Sequence, residues 1–350
     1  MNLGLKWKIF FAEKTKLNIM RSLVTGGAGF IGAHLANELI KMGHSVVILD
    51  DLSGGFEDNI HSKAAFVKGS VTDYELVKKL FEDHKFDYVY HLAAYAAEGL
   101  SHFIRKFNYE TNLIGSIHLI NESIKHKVKC FVFTSSIAVY GAGQLPMTED
   151  TVPQPEDPYG VSKYSVELDL KAAHEMFGLN YIIFRPHNVY GEYQNVGDRY
   201  RNVIGIFINQ LMKDQPLTIF GDGTQTRAFS YISDVAPHIA KSVNVPAAYN
   251  QVFNIGGDQE YSVNELAKTV MRVLKKEQPI RYLAARNEVL HAYSDHTKAK
   301  KIFRIRDADF VNLETGLAKM AEWALDAGPR KTPRFTNIEI YEKLPAVWAE

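Results

Sequence analysis

A glycine-rich turn near the start of the chain constrains the fold more than any other feature of the sequence. The segment TGGAGFIG occupies residues 25–32, between a predicted strand at 21–25 and a predicted helix at 32–42. In such a turn one glycine permits the tight bend, one lets backbone amides approach an anion, and one lets the helix pack closely on the sheet. The helix N-terminus adds partial positive charge. A lone glycine triplet is also common in purely structural turns, but this context predicts a site for a dinucleotide diphosphate.

An acidic residue stands where the next predicted strand ends. Asp50 follows the apolar run SVVIL (45–49), at about the distance after Gly32 at which a carboxylate binds the ribose hydroxyls of NAD. A carboxylate there also repels the additional phosphate of NADP, and no arginine follows it within ten residues. We therefore expect NAD rather than NADP as cofactor. The alternative is that Asp50 has only a structural role, in the turn at the end of the strand.

Short apolar runs alternate with helical periods over the first half of the chain, the pattern of strand–helix units with a parallel sheet. We expect an α/β fold, a Rossmann-type doubly wound parallel sheet with a smaller C-terminal α/β substrate-binding region. The expected parts, interleaved and with soft boundaries, are an N-terminal extension (1–19), a mainly NAD-binding domain (20–185), a mainly substrate-binding region (186–330) and a C-terminal tail (331–350). The further predicted strands are 65–67, 88–92, 130–134 and 181–184, and the predicted helices include 74–84, 109–126 and 313–327.

Charge and cysteine content exclude several classes of function. Forty basic residues balance forty acidic ones, so the chain lacks the positive excess that nucleic-acid binding requires. A single cysteine, Cys130, cannot form an intramolecular disulfide, and no cysteine–histidine spacing suggests zinc or another metal. No apolar run reaches the roughly 18 residues of a membrane span.

Residues 1–19 lack the cleavage site of a signal peptide, although they could form a helix on a membrane surface. A cytoplasmic location is expected.

A tyrosine and a lysine, spaced four residues apart, open a predicted helix after Pro158. This spacing places Tyr159 and Lys163 on one helix face. A cation close to a phenol favours the phenolate, so we expect the pKa of Tyr159 to fall from about 10 toward neutrality. Such a tyrosine can exchange a hydroxyl proton while a hydride moves to a nicotinamide. Ser136 follows an apolar strand at the sheet edge where α/β folds bind ligands, and its hydroxyl could bond the same substrate oxygen.

Seven motifs in series resemble one family, the extended short-chain dehydrogenase/reductases, and in particular the nucleotide-sugar epimerases typified by UDP-galactose 4-epimerase. The resemblance runs from Arg21 to about Trp323. Several such motifs in order are far more specific than any one of them. They are TGGAGFIG (25–32), LDDLSGG (49–55), HLAA (91–94), TSSIAVYG (134–141), YGVSK (159–163), RPHNVYG (185–191) and GDGTQTRAFSYISD (221–234).

The resemblance implies a role for individual residues. It makes Tyr159 the catalytic base and acid, Lys163 its electrostatic partner and a ribose ligand, and Ser136 the hydroxyl that shares the sugar 4-oxygen. The implied NAD-binding residues are Gly26, Gly29, Phe30, Ile31, Gly32, Asp50, Asp51, Ser70, Val71, Leu92, Ala93, Ala94, Asn112, Tyr159 and Lys163. The implied substrate-binding residues are Ser136, Asn188, Arg227, Glu98 and Arg286. Family members often form homodimers through helices near positions 110 and 165, so the resemblance also implies a homodimer.

The residues after Ser136 narrow the expected reaction. The 4,6-dehydratases of this family carry an Asp-Glu pair there, and the GDP-mannose 3,5-epimerases place a cysteine at the second position. In this chain the two positions are Ile137 and Ala138, which cannot transfer protons. What the resemblance then implies is NAD-dependent 4-epimerisation of a nucleotide sugar, most simply a UDP-sugar. Hydride leaves C4 for NAD, the 4-keto sugar rotates, and hydride returns. A nucleotide-sugar reductase or dehydrogenase, and a catalytically silent sensor, are the alternatives.

Three segments depart from the family pattern. Ser70 replaces the usual aspartate in the segment that contacts adenine. Residues 95–101 (YAAEGLS) differ from the usual segment beside the nicotinamide, so Glu98, Ser101 or Arg105 could shape sugar specificity; a solvated loop is the alternative. The expected Arg-Pro-Gly-Asp turn near the nucleotide is replaced by residues 285–288, where Arg286 and Glu288 could do its work.

Overall fold

Fourteen strands and eleven α-helices are found in the residues that this computed structural model describes, which are 19–143, 145–198, 200–285, 290–329, 335–345 and 348. The strands are β1 Arg21–Thr25, β2 Ser45–Asp50, β3 Ala65–Lys68, β4 Tyr88–His91, β5 Cys130–Thr134, β6 Tyr181–Pro186, β7 Val189–Tyr190, β8 Leu217–Phe220, β9 Thr226–Ala228, β10 Ser230–Tyr231, β11 Gln251–Ile255, β12 Glu260–Ser262, β13 Ile280–Leu283 and β14 His291–Ala292. The helices are α1 Phe30–Lys41, α2 Tyr74–His84, α3 Glu98–Ser101, α4 Arg105–Tyr109, α5 Gly115–Lys125, α6 Pro158–Phe177, α7 Val203–Met212, α8 Ala236–Lys241, α9 Val263–Leu274, α10 Thr297–Phe303 and α11 Leu313–Ala327.

Seven of the strands form one parallel sheet, in the order β11–β6–β5–β4–β1–β2–β3. The chain therefore starts in the middle of the sheet, builds outward through β2 and β3, and then crosses back to β4. The point at which the direction reverses lies between β1 and β4, and ligands of open α/β sheets bind outside the strand ends at such a point. The predicted Rossmann-type doubly wound sheet is confirmed.

Alternate side chains of the central strands supply two cores, one on each face of the sheet. Leu23 of β1 packs in the core beneath α2, α5 and α6, whereas its neighbour Val24 packs on the side of α1 and α8. Successive strand residues point to opposite faces, and both faces are covered by helices. This explains why the strand sequences are apolar runs rather than alternating patterns.

The second region has its own core, built by α7, α9 and α11 with small sheets between them. The small sheets pair β7 with β10, β8 with β13, and β9 with both β12 and β14. The main sheet also takes its edge strand β11, and the helix α8, from residues expected to belong mainly to the substrate-binding region. The two regions are therefore interleaved along the chain.

One predicted helix differs in the structure. Helical backbone begins at Arg105, earlier than the predicted 109, and residues Glu110–Ile114 between α4 and α5 form a π-helical turn. π-turns of this kind shift the register of side chains within a helix. No described helix is long and apolar enough to cross a membrane, and the same residues contain no metal-binding cluster of three or more side chains.

Candidate active site

A large cleft opens along the carboxyl ends of the central strands, between the main sheet and the second region. Its volume is about 1820 Å³, several times that of a typical small-ligand pocket. Most of the predicted site residues line it. They are Gly26, Gly29, Phe30, Ile31, Gly32, Asp50, Asp51, Ser70, Val71, Leu92, Ala93, Ala94, Glu98, Ser136, Tyr159, Lys163, Asn188 and Arg227.

The glycine-rich turn between β1 and α1 has the packing that its sequence predicts. Gly26 has a φ of +71°, and a Cβ atom there would lie 2.7 Å from the Ala93 nitrogen. A Cβ on Gly32 would lie 2.1 Å from the Gly26 carbonyl oxygen. The first turn of α1 contains no acidic residue, and its N-cap, Gly29, provides no side chain to bond the free amides. The turn is therefore a cradle of backbone N–H groups for an anion.

Asp50 stands beside this cradle at the end of β2. Its carboxylate accepts hydrogen bonds from the Ala28 amide at 3.0 Å and the Leu52 amide at 2.8 Å. Burial raises its pKa, and these backbone hydrogen bonds oppose the rise. The Asp51 carboxylate accepts from the Ser53 amide at 2.9 Å, which fixes the loop that follows. A carboxylate held at the rim of a phosphate cradle has the position and chemistry to bond ribose hydroxyls.

The segment expected to contact adenine, which includes Ser70 and Val71, is held by hydrogen bonds between its own residues. The Ser70 hydroxyl lies 2.9 Å from the Thr72 hydroxyl and accepts from the Thr72 amide at 3.2 Å. Val71 is buried, and a Cβ on Gly115 would lie 2.6 Å from its Cγ2 atom. The wall beneath an adenine ring is therefore tightly packed.

Helix α6 brings the tyrosine and the lysine into the cleft. Asp157 caps this helix by accepting a hydrogen bond from the Gly160 amide at 2.9 Å. A Cβ on Gly160 would lie 2.5 Å from the Ala138 carbonyl oxygen, so only glycine lets the helix start approach the turn after Ser136 this closely. As a result the Ser136 hydroxyl comes close enough to the Tyr159 phenol to act on its pKa. The predicted trio is thus brought together, with Ile137 and Ala138 beside it on the cleft wall.

The pKa of Tyr159 differs from the sequence-based expectation. Burial raises this pKa above its ordinary value, although the nearby Ser136 hydroxyl acts to lower it. The Lys163 ammonium lies 5.9 Å from the tyrosine ring centroid and donates to the Thr134 carbonyl at 2.8 Å. Burial also lowers the pKa of Lys163 to about 7, so at neutral pH it carries only part of the positive charge that the expectation assumed. In the protein alone, desolvation by burial therefore has the largest effect on the pKa of both groups.

Asn112 lies behind the cleft wall rather than on it. Its side chain is 1 % exposed, accepts from the Tyr95 amide at 2.8 Å and donates to the Tyr95 carbonyl at 3.2 Å. It also donates to the side-chain oxygen of Asn108 at 2.7 Å. Asn112 therefore fixes the loop after β4, which itself lines the cleft, instead of presenting its amide to a ligand.

Two predicted substrate-binding residues, Asn188 and Arg227, lie in the second region. Asn188 directly precedes β7, and Arg227 is the middle residue of β9. Asn188 has a left-handed backbone, with a φ of 39°, and its side-chain amide donates to the Ala228 carbonyl at 3.1 Å. The Arg227 guanidinium donates to the Thr226 carbonyl at 2.8 Å and the Leu290 carbonyl at 3.0 Å. Both are thereby held on the cleft wall. Arg286 and Glu288 lie outside the described residues, as do residues 1–18 of the N-terminal extension.

Sequence reasoning missed two contributions to the cleft. Part of the C-terminal tail packs against residues 95–107 in an aromatic cluster that includes Tyr200 and Trp348, and Trp348 lines the cleft. The apolar residues of the tail were a visible signal, because a solvated tail has no need of them. Arg201 also lines the cleft, and nothing in the local sequence marked it.

The cleft fits a dinucleotide. The amide cradle suits a diphosphate, Asp50 suits a ribose, and the Thr134 hydroxyl is buried with no hydrogen-bond partner among the described residues. Tyr159 and Lys163 lie at the end of the cleft where a nicotinamide would follow from those two positions.

Comparison with known proteins agrees with this geometry. The sequence profile of the NAD-dependent epimerase/dehydratase family matches residues 22–256. A UDP-glucose 4-epimerase of Mycolicibacterium smegmatis is 32 % identical over 312 residues, which cover 87 % of this chain and 98 % of that protein.

Two solved structures have the same fold. The UDP-glucose 4-epimerase of Thermotoga maritima, solved with UDP-glucose, is 35 % identical with a TM-score of 0.84, covering 88 % of this chain and 99 % of that one. The UDP-glucuronic acid 4-epimerase of Bacillus cereus, solved with UDP-glucuronic acid and NAD, is 29 % identical with a TM-score of 0.81, covering 88 % and 100 %. This chain therefore belongs to the NAD-dependent epimerase/dehydratase family, and its cofactor is NAD.

Proposed function

We propose that this protein is a nucleotide-sugar 4-epimerase that acts on a UDP-sugar and keeps its NAD bound through the reaction. One observation carries the proposal. Ser136, Tyr159 and Lys163 converge at one end of the dinucleotide cleft, while apolar Ile137 and Ala138 occupy the adjoining wall. This site has groups for proton exchange at a single hydroxyl and none of the additional acids and bases that dehydration or carbon-acid epimerisation requires.

The protein's part in the reaction is proton exchange at the sugar 4-oxygen. A bound NAD would supply the hydride acceptor and donor for C4, and its positive charge would favour the phenolate of Tyr159, whose pKa is raised in the protein alone. Tyr159 takes the 4-hydroxyl proton as the carbonyl forms and gives it back when the sugar is reduced again. Ser136 donates a hydrogen bond to the same oxygen, and Lys163 stabilises the phenolate through its positive charge. Each group returns to its starting protonation state after one turnover.

Turning the 4-keto sugar over requires space beside these side chains. The cleft volume of about 1820 Å³ exceeds the roughly 300–1,000 Å³ of ordinary ligand pockets. Apolar side chains at 137 and 138 make few specific bonds to the sugar, which favours rotation about the diphosphate linkage.

The residues proposed to hold NAD follow the cleft from end to end. Ser70 and Val71 form the adenine end, and Asp50 with Asp51 meets the adenosine ribose. The turn from Gly26 to Gly32 holds the diphosphate, and the segment Leu92, Ala93 and Ala94 lies against the nicotinamide side, with Tyr159 and Lys163 completing it. Asn112 is proposed as a positioning residue for that segment, because its amide bonds the Tyr95 backbone.

A UDP-sugar is proposed as the substrate because the solved epimerases named above were crystallised with UDP-sugars. In this chain Asn188 and Arg227 would meet the substrate diphosphate from the second region. A guanidinium suits that task because it bonds phosphate oxygens in pairs. Glu98 lines the sugar end of the cleft, where a carboxylate accepts hydrogen bonds from sugar hydroxyls. A role for Arg286 on the nucleotide stays a prediction.

A homodimer is proposed on the exposed faces of α6 and of the π-turn Glu110–Ile114 that precedes α5. Ile114 is 46 % exposed and Leu168 is 48 % exposed, and α6 packs directly against both α5 and the π-turn that precedes it. Two large apolar side chains exposed on a helix and on the turn packed beside it favour association with a second copy of the same face.

The test is product analysis without added cofactor. The purified protein is incubated with a panel of UDP- and GDP-sugars, beside a Tyr159→Phe variant, and the sugars are identified by chromatography and NMR. We expect a C4 epimer from one UDP-sugar, with the rate lowered about 10²- to 10⁴-fold in the variant. Stoichiometric consumption of added NAD or NADH with no epimer would instead identify a dehydrogenase or reductase, and a dehydrated product would identify a 4,6-dehydratase.

A further inference from the structure

We propose that Arg201, in the turn that precedes α7, binds the diphosphate of NAD and so helps to keep the cofactor in place. The proposal deepens the proposed function and rests on it for its purpose, since an epimerase must retain the cofactor between the two hydride transfers. The sequence motifs assign no role to Arg201, which reaches the cleft from the turn that precedes α7.

Two neighbours hold the guanidinium of Arg201 in a fixed plane. Its Nε donates to the Asp198 carboxylate at 2.6 Å, and its Cζ lies 5.0 Å from the centroid of the Tyr95 ring. Asp198 is itself fixed, because it accepts from the Tyr200 amide at 2.9 Å. Only 18 % of the Arg201 side chain is exposed. A guanidinium with this little freedom loses little entropy when it binds an anion.

The terminal nitrogens of the same guanidinium are available to a ligand. Within the described part of the chain, Nε makes the only hydrogen bond of the Arg201 side chain, and Nη1 and Nη2 make none. Unpaired donors on a largely buried cation are costly. The same groups become strong ligands when an oxyanion meets them, because arginine forms paired hydrogen bonds with phosphate oxygens.

The position of these nitrogens points to the cofactor diphosphate. A Cβ atom on Gly54 would lie 3.0 Å from Nη2. The next residue, Gly55, packs so closely on the phosphate turn that a Cβ there would lie 2.5 Å from the Ala28 carbonyl carbon. The Phe56 amide also donates to the Ala28 carbonyl at 3.1 Å. Arg201 therefore borders the rim of the amide cradle.

The other side of the guanidinium faces the reacting end of the cleft. The charge of Arg201 lies close enough to Tyr159 to lower the pKa of that phenol, against the larger effect of burial. An anion that extends from the cradle toward Tyr159 thus passes Arg201. The NAD diphosphate follows this path if its ribose is on Asp50 and its nicotinamide is beside Tyr159.

A sugar carboxylate is the other oxyanion that could reach this guanidinium, and binding measurements distinguish the two. We would compare the wild type with Arg201→Met, which removes the charge at similar length, and Arg201→Lys, which keeps a point charge. Arg272→Met serves as the matched control, because Arg272 is 60 % exposed on α9 and paired with Glu314. The readouts are NAD bound per chain after purification, the NAD dissociation constant, and the dissociation constants of UDP, UDP-glucose and UDP-glucuronate.

We expect Arg201→Met to weaken NAD binding by about 10- to 100-fold, the usual value of a charge-assisted phosphate contact, with UDP binding unchanged. Arg201→Lys should show a smaller loss of NAD binding than Arg201→Met. Arg272→Met should bind NAD as the wild type does. Unchanged NAD binding in a folded Arg201→Met variant would overturn the proposal. So would a loss confined to UDP-glucuronate, which would assign the guanidinium to a sugar carboxylate.

Removing the arginine leaves the Asp198 carboxylate buried without its partner, and that alone could unfold the variant. The double variant Asp198→Asn/Arg201→Met removes both charges and serves as the second test, judged by the same readouts. Because NAD binding is measured directly, the result does not depend on turnover. If the wild type binds NAD but makes no epimer, the proposed reaction fails while the assignment of Arg201 is still decided.

Discussion

Burial, more than proximity of charge, sets the protonation of the two side chains at the start of α6. Lys163 is 2 % exposed, and its nearest carboxylate, Glu167, is already paired with Arg185 at 2.5 Å. Glu167 therefore raises the pKa of Lys163 only partly, and desolvation lowers it from 10.5 to about 7. Tyr159 is buried beside it, and its pKa is raised for the same reason. The residue pattern identified the pair, but the sign of the tyrosine shift depends on burial, which spacing does not reveal.

This environment predicts a pH-dependent stability that belongs to Lys163. In the unfolded chain the amine keeps its proton up to 10.5, whereas in the folded protein it loses the proton near pH 7. Between these values the unfolded state binds more protons, so this group makes the folded state more stable as pH rises, by at most about 1.4 kcal/mol per pH unit. We expect the unfolding free energy of nucleotide-free wild type to rise relative to Lys163→Met from about pH 7 to about pH 9.

Urea unfolding at several pH values measures this difference. Lys78→Met, at an exposed lysine of α2, is the matched control and should follow the wild type at every pH. Parallel curves for wild type and Lys163→Met would show that Lys163 keeps an ordinary pKa in the folded protein.

At the scale of elements, the C-terminal tail supports the wall of the cleft. The Glu339 carboxylate accepts hydrogen bonds from the amides of Lys106 at 2.8 Å and Phe107 at 2.9 Å, which are free donors at the start of α4. The Glu339 amide in turn donates to the Phe103 carbonyl at 2.8 Å. A short helix with an external cap depends on that cap.

Replacing this cap should loosen the tail and the helix together. We expect Glu339→Ala to lower the free energy of unfolding by about 1 kcal/mol, the usual cost of a lost N-cap. Limited proteolysis should cut the tail faster, and the KM for the nucleotide sugar should rise because Glu98, His102 and Phe107 of the supported segment line the cleft. Glu342→Ala, at an exposed position in the same segment, controls for charge in the stability and proteolysis measurements. Equal stability and equal cleavage in the two variants would contradict a supporting role.

Local sequence predicted the elements that local interactions determine. The strand at 21–25 and the helix at 313–327 have the predicted bounds, and the glycine turn and YGVSK helix lie where their motifs place them. The sequence did not reveal β11 as the sheet edge, the π-turn at 110–114 or the docking of the tail. Each of these depends on contacts between residues distant in the chain. Arg201 was missed for the same reason, since its partners Tyr95 and Gly54 lie far away in sequence.

At the scale of the whole molecule, the exposed apolar residues Ile114, in the π-turn before α5, and Leu168, on α6, predict the assembly state. We expect the wild type to have twice the chain mass of 39.5 kDa in light scattering coupled to gel filtration. Leu168→Glu should give the single-chain mass, because a charge at the centre of an apolar interface is costly. Val152→Glu, at a site 72 % exposed and outside these two segments, should leave the mass unchanged. A monomeric wild type would refute the proposed dimer.

The central claim is that the hydrogen on C4 leaves and returns within one cleft. The most direct measurement uses the UDP-sugar converted in the product panel, labelled with deuterium at C4, with no cofactor added. Mass spectrometry and NMR then follow the label in the product. The account predicts a C4 epimer that keeps its deuterium at C4 and its original mass. A product that has lost water, or an epimer whose C4 deuterium has exchanged with solvent, would contradict it.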